Sequence, residues 1–134
     1  MEVKEYFARY DEFVDSVTSE GARSDENFMK HLQELSSQFN GNFARFDNAV
    51  VGLTGEAGEV ADMWKKIKFM RLEYNDETRD KIIKELGDVC WYLMSAAHAL
   101  NIPLEEIINR NIEKLKIRHP HGFSSAYMQN KKGA

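Results

Sequence analysis

Two five-residue stretches carry side chains with chemical capacity, "EAGEV" at 56–60 and "ELGDV" at 85–89. Both read acid, apolar, glycine, acid, valine, and they pair Glu56 with Glu59 and Glu85 with Asp88. On a helix, residues three apart lie about 60° from each other and roughly one turn apart in height. Acids so placed repel each other, and an interior glycine costs a helix roughly 1 kcal/mol relative to alanine. A hard divalent cation offsets the repulsion, and Mg²⁺ takes oxygen ligands while keeping waters and substrate phosphates in its shell. The chemistry in prospect is metal-assisted work on phosphates, with the glycines letting backbones or a ligand come close.

Such a site needs two helices that face each other. The spacing of Phe46, Val50, Leu53, Val60, Trp64 and Ile67 predicts a helix from about Phe43 to Arg71, with Trp64 in its core stripe. "EYNDET" ends it and supplies Asp76 as the cap of a further helix to about Leu100, striped by Ile82, Val89, Leu93 and Ala96. Each acid pair falls at the margin of its own stripe, pointing toward a neighbouring helix rather than into bulk water. A short connection makes these two helices antiparallel neighbours. Glu56, Glu59, Glu85 and Asp88 then converge on one cleft, where unrelieved repulsion would raise some of their pKa values.

The remaining pattern is also helical. Residues 3–18 place Tyr6, Phe7, Tyr10, Phe13, Val14 and Val17 at helical intervals. Ser24 caps a second helix with Asp25 and Glu26 in its first turn, and "NGN" at 40–42 is a turn signal. Pro103 suits the first turn of a fifth helix that ends near "RHPHGF". No strand pattern is present, so the expected fold is all-α. It has about five helices around a central antiparallel pair, with a single domain over 1–123 and a polar tail over 124–134.

Composition limits the function. The chain has 134 residues, 43% hydrophobic and 30% charged, with a formal net charge of -4. A nucleic-acid binder usually needs a basic face, so that partner class is excluded. No apolar run approaches the roughly 18 residues of a membrane span. "MEVKEYFARY" lacks the apolar core of a signal peptide. Cys90 is the only cysteine, which removes a disulfide framework and fits a reducing cytoplasm.

"GLTGEAGEVAD", "KELGDVCWYL" and "NIPLEEIINRNIEKLKIRHPHGF" together resemble the MazG-like all-α nucleotide pyrophosphohydrolases, especially small phage and bacterial members. The resemblance covers about residues 48–123, and Glu56, Glu59, Glu85 and Asp88 match its E-x-x-E and E-x-x-D pairs. It implies an enzyme that uses Mg²⁺, with Mn²⁺ as a substitute, to cleave nucleoside triphosphates between the α and β phosphates. It also implies a cytoplasmic location, that of the host if the chain is phage-encoded. Glu59 or Glu56 is the expected base toward water.

Asn111, Lys114 and Arg118 share one face of the fifth helix and resemble the family's phosphate-binding segment, with Lys66 a weaker candidate one turn beyond Asp62. Tyr92, one turn past Asp88, is placed to wall the base pocket. Asp62 is expected in an outer role at most, and His119 and His121 as boundary residues. A second apolar strip of Ile83, Cys90, Met94 and Ala97 suggests a partner subunit, and the resemblance implies a homodimer or homotetramer. Beside this reading stand a dUTPase-like hydrolase of the same superfamily and a non-catalytic helical interaction module.

Overall fold

The structure, a computed structural model, describes residues 1–123 and Ser125. Apart from Ser125, the expected polar tail lies outside the described residues. Among residues 1–123 five α-helices follow in order: α1 (Val3–Ser16), α2 (Asp25–Gln38), α3 (Phe43–Phe69), α4 (Asp76–Ala99) and α5 (Leu104–Arg118). A 3₁₀ turn at Glu20–Ala22 precedes α2. Among the described residues there is no strand, only an isolated bridge between Pro120 and Gly122. The expected all-α class is what the structure shows.

The chain divides into two compact units, Met1–Asn40 and a second beginning at Gly41. In the first, Ser24 caps α2 by accepting a hydrogen bond from the Asn27 backbone N–H at 3.1 Å. Arg23 ties the end of α1 to the 3₁₀ turn, donating to the Asp15 carbonyl at 2.6 Å. The aromatic face of α1 forms as expected, yet Tyr6, Phe7, Tyr10 and Phe13 are all exposed.

The second unit is built on α3 packed against α4, with α5 set more sparsely on α4. Asn42 caps α3, accepting from the Arg45 N–H at 3.0 Å. Asn75, not Asp76, caps α4. Its side chain accepts from the Thr78 N–H at 3.0 Å, and the Thr78 hydroxyl accepts from the Asn75 N–H at 2.9 Å. This reciprocal box outcompetes a cap at Asp76, which instead lies in the first turn where its charge suits the helix dipole. Pro103 sits at the cap position of α5, one residue before the first turn. At the end of α4, Asn101 adopts φ 59°, and the Ile102 N–H reaches the Ala97 carbonyl at 3.1 Å. Asparagine tolerates this left-handed closure of a helix better than other residues with a Cβ.

Small residues set the seam between α3 and α4. Ala49, Ala97 and Ala99 are fully buried. The Asn42 N–H donates to the Ala99 carbonyl at 2.9 Å, and Arg45 Nε donates to the buried Ser95 hydroxyl at 3.0 Å. These contacts fix an antiparallel register, which further along sets Gly52 against Tyr92. The larger side chains of the stripes are less covered. Trp64, expected in the core, is 52% exposed. Ala97, expected on a surface strip with Ile83, Cys90 and Met94, is buried while the other three are exposed.

Candidate active site

The register carries Glu56 of α3 opposite Glu85 and Asp88 of α4. Each of the three offers a carboxylate oxygen within 4.8 Å of the others. A single Mg²⁺ with bond lengths near 2.1 Å spans about 4.2 Å between opposite ligands. The spread is close to that span, and three hard oxygen donors are the set such an ion takes. Glu56 and Glu85 are half-buried, and Asp88 is exposed. Glu59 does not join this triad. It is exposed, one turn further along α3.

The electrostatics agree with the crowding. The Glu56 carboxyl is held above its ordinary value of 4.5, first by burial, then by the charges of Asp88, Glu85 and Glu59, and by a hydrogen bond with Glu85. Glu59 is thus near enough to act on Glu56 through its charge while standing outside the triad. On the same helix, Lys66 Nζ pairs with Asp62 Oδ2 at 2.9 Å. The hydrogen bond and charge of Lys66 lower the Asp62 pKa, and the same partner raises that of Lys66. Asp62 is therefore committed to a lysine rather than to the triad.

Beside the triad lies a cavity of about 340 Å³ lined by Glu56, Asp88, Trp91 and Tyr92. Trp91 and Tyr92 meet edge to face, with ring centroids 5.0 Å apart and planes at 84°. Tyr92 was expected here. Trp91 was not singled out in the sequence, although its signal was present, three residues past Asp88 on the same helix. Asn111, Lys114 and Arg118 are exposed on α5 and do not line this cavity. His119 caps α5 and stacks on Phe123 at 6.0 Å, consistent with a boundary role.

No backbone comes close to the glycines of the two motifs, unlike one of the two approaches expected of them. A Cβ added at Gly55, Gly58 or Gly87 would meet open space, so no backbone approaches there. The close approach is at Gly52, where a Cβ would collide with the Tyr92 ring.

The all-helical fold and the acids gathered across α3 and α4 coincide with what comparison of the sequence shows. The chain belongs to the MazG nucleotide pyrophosphohydrolase domain family, whose model matches residues 46–123. The match takes in every candidate site residue named above. The chain is also similar to the Gene 37 protein of Mycobacterium phage L5, at 41% identity over 73 residues. That segment is 54% of this chain and 64% of the phage protein, so the chain spans less than two thirds of that relative's length. No solved structure matches the chain.

Proposed function

We propose that this chain hydrolyses nucleoside triphosphates to the monophosphate and pyrophosphate in the presence of Mg²⁺. The bond broken joins Pα to the oxygen bridging it to Pβ, and water supplies the oxygen that replaces it. The observation that carries the reading is the Glu56–Glu85–Asp88 triad beside an aromatic-lined cavity, inside the family-matched segment. Bound to that triad, Mg²⁺ would neutralise phosphate charge and act as a Lewis acid at the scissile phosphate.

The remaining work falls to the chain's own side chains. Glu59 sits next to the triad without belonging to it, which frees its carboxylate to orient water or take its proton. Glu56, half-buried beside the other acids, is the alternative base. Tyr92 and Trp91 offer apolar faces to a nucleobase, a role suited to aromatic rings. On α5, Asn111, Lys114 and Arg118 are free to meet the triphosphate, and the planar fork of Arg118 matches phosphate oxygens. Lys66, held by Asp62, serves the phosphates less directly.

The active form is a homodimer or homotetramer acting in the cytoplasm. Ile83, Cys90 and Met94 of α4 are exposed, with Met94 at 52%, and a second copy covering this strip would supply the burial that the single chain lacks. No helix among the described residues is long and apolar enough to cross a membrane. The test is a panel of ribo- and deoxynucleoside triphosphates, dUTP included, incubated with Mg²⁺ or Mn²⁺. Release of monophosphate and pyrophosphate from at least one member supports the reading. Failure of the whole panel overturns it.

A further inference from the structure

Of Gly21, Gly52, Gly55, Gly58, Gly87 and Gly122, Gly52 alone sits where a Cβ would collide with a neighbouring side chain. The atoms it would strike are Cε1, Cζ and Cδ1 of Tyr92, the working part of the ring. Gly52 lies mid-helix, where glycine destabilises relative to alanine. It is also one turn before Glu56, just as Tyr92 is one turn after Asp88. Two matched pairs therefore cross the seam in step, the carboxylates at one level and glycine with ring at the next.

We infer that Gly52 is a positioning residue for nucleotide recognition: by lacking a side chain it seats the Tyr92 ring on α3, and this fixes the Tyr92–Trp91 wall that receives the nucleobase. The inference rests on the nucleotide reading of the same site and adds to it which residue sets the base wall. Tyr92 is half-buried, with its ring close against Gly52 of α3 and edge to face with Trp91. Trp91 is 60% exposed and presents its free face beside Glu56 and Asp88. A cavity of about 340 Å³ is within the size range of small-ligand sites, and a flat base stacks on any aromatic face. A methyl group at position 52 forces the ring to move by more than ~1 Å to regain ordinary carbon–carbon separation. The wall then shifts while the carboxylates, a turn away, keep their places.

The experiment uses Gly52→Ala in the full chain, with Trp64→Phe as a common background so that Trp91 is the sole tryptophan. Nucleoside monophosphates, added without metal, are the probe, and quenching of Trp91 emission is the first readout. Expected are a shifted Trp91 emission and binding of the probe weakened about ten-fold, the order that one base–aromatic stack contributes. KM should rise more than kcat falls, and calorimetric Mg²⁺ affinity should stay within about two-fold. In a Tyr92→Leu background, which removes the ring, Gly52→Ala should add nothing further. If Gly52→Ala does not fold, Tyr92→Leu alone must reproduce the weakened quenching with Mg²⁺ affinity retained. Unchanged Trp91 emission and probe binding in Gly52→Ala would overturn the inference, as would an equal effect with the ring already removed. Probe quenching without turnover on any triphosphate would overturn the hydrolase reading and leave the base wall standing. No quenching of the Gly52 parent by any monophosphate would overturn the base wall whatever the turnover.

Discussion

Glu56 of α3 and Asp88 of α4 bring carboxylate oxygens within 4.8 Å of each other, with Glu85 completing the group. After burial, the charge of Asp88 is the largest influence raising the Glu56 pKa. Two acids on different helices are thus held together by a seam of alanines and glycine.

Metal and pH should be linked through this pair. Glu56 is raised in the fold relative to its ordinary 4.5. Its contribution to stability is therefore full below that value and is lost as pH rises through the raised one. A bound cation reverses the penalty, so the gain in melting temperature from Mg²⁺ should grow as pH rises across that window. At 100 times Kd the gain corresponds to about 2.7 kcal/mol by mass action. Calorimetric scans with Mg²⁺ or with a chelator, over a pH series, check this. A gain independent of pH, or one retained in Glu85→Gln/Asp88→Asn, contradicts a site there.

Because Glu59 stands outside the triad, its role separates from that of the ligands. Glu59→Gln should bind Mg²⁺ nearly as well as the parent but lose 10²- to 10⁴-fold in kcat, the usual span for a general base. Titration calorimetry and turnover on one preparation decide it. A large loss of metal affinity would move Glu59 into the ligand set, and retention of more than about a tenth of activity would remove it as the base.

Arg118 should recognise phosphate without touching the metal. Charge-assisted hydrogen bonds contribute about 1.5–3 kcal/mol, so Arg118→Ala should lower kcat/KM roughly 10- to 150-fold. Mg²⁺ affinity should stay as in the parent. A kinetically silent Arg118→Ala would reduce α5 to a solvated basic face.

The proposed assembly would use the exposed apolar surface on α4. Met94→Asp places a charge on the uncovered strip and should yield a smaller folded species by light scattering. A parent that is already monomeric rules out the interface.

Much of this was legible in the chain because it depends on local rules. The boundaries of α3 and α4 followed from apolar spacing and turn residues, and Glu56, Glu85 and Asp88 from spacing relative to those stripes. The α4 cap was misplaced by one residue because Asn75 and Asp76 are both good caps, and Thr78 completing the box is what decides. Other features depend on how two helices are rotated against each other, which no single helix records. That rotation leaves Glu59 out of the triad, exposes Trp64, and buries Ala97 on what read as an outer strip. Gly52 escaped notice for the same reason, since its partner is forty residues away and is chosen by the antiparallel register.

The proposed reaction is cleavage between the α and β phosphates, dependent on the triad. The most direct measurement is hydrolysis in ¹⁸O-labelled water with a preferred triphosphate, following both products by mass spectrometry in the parent and in Glu56→Gln/Asp88→Asn. One labelled monophosphate for each unlabelled pyrophosphate is expected, with loss of both products in the double variant. Diphosphate with orthophosphate, or undiminished turnover without Glu56 and Asp88, would contradict it.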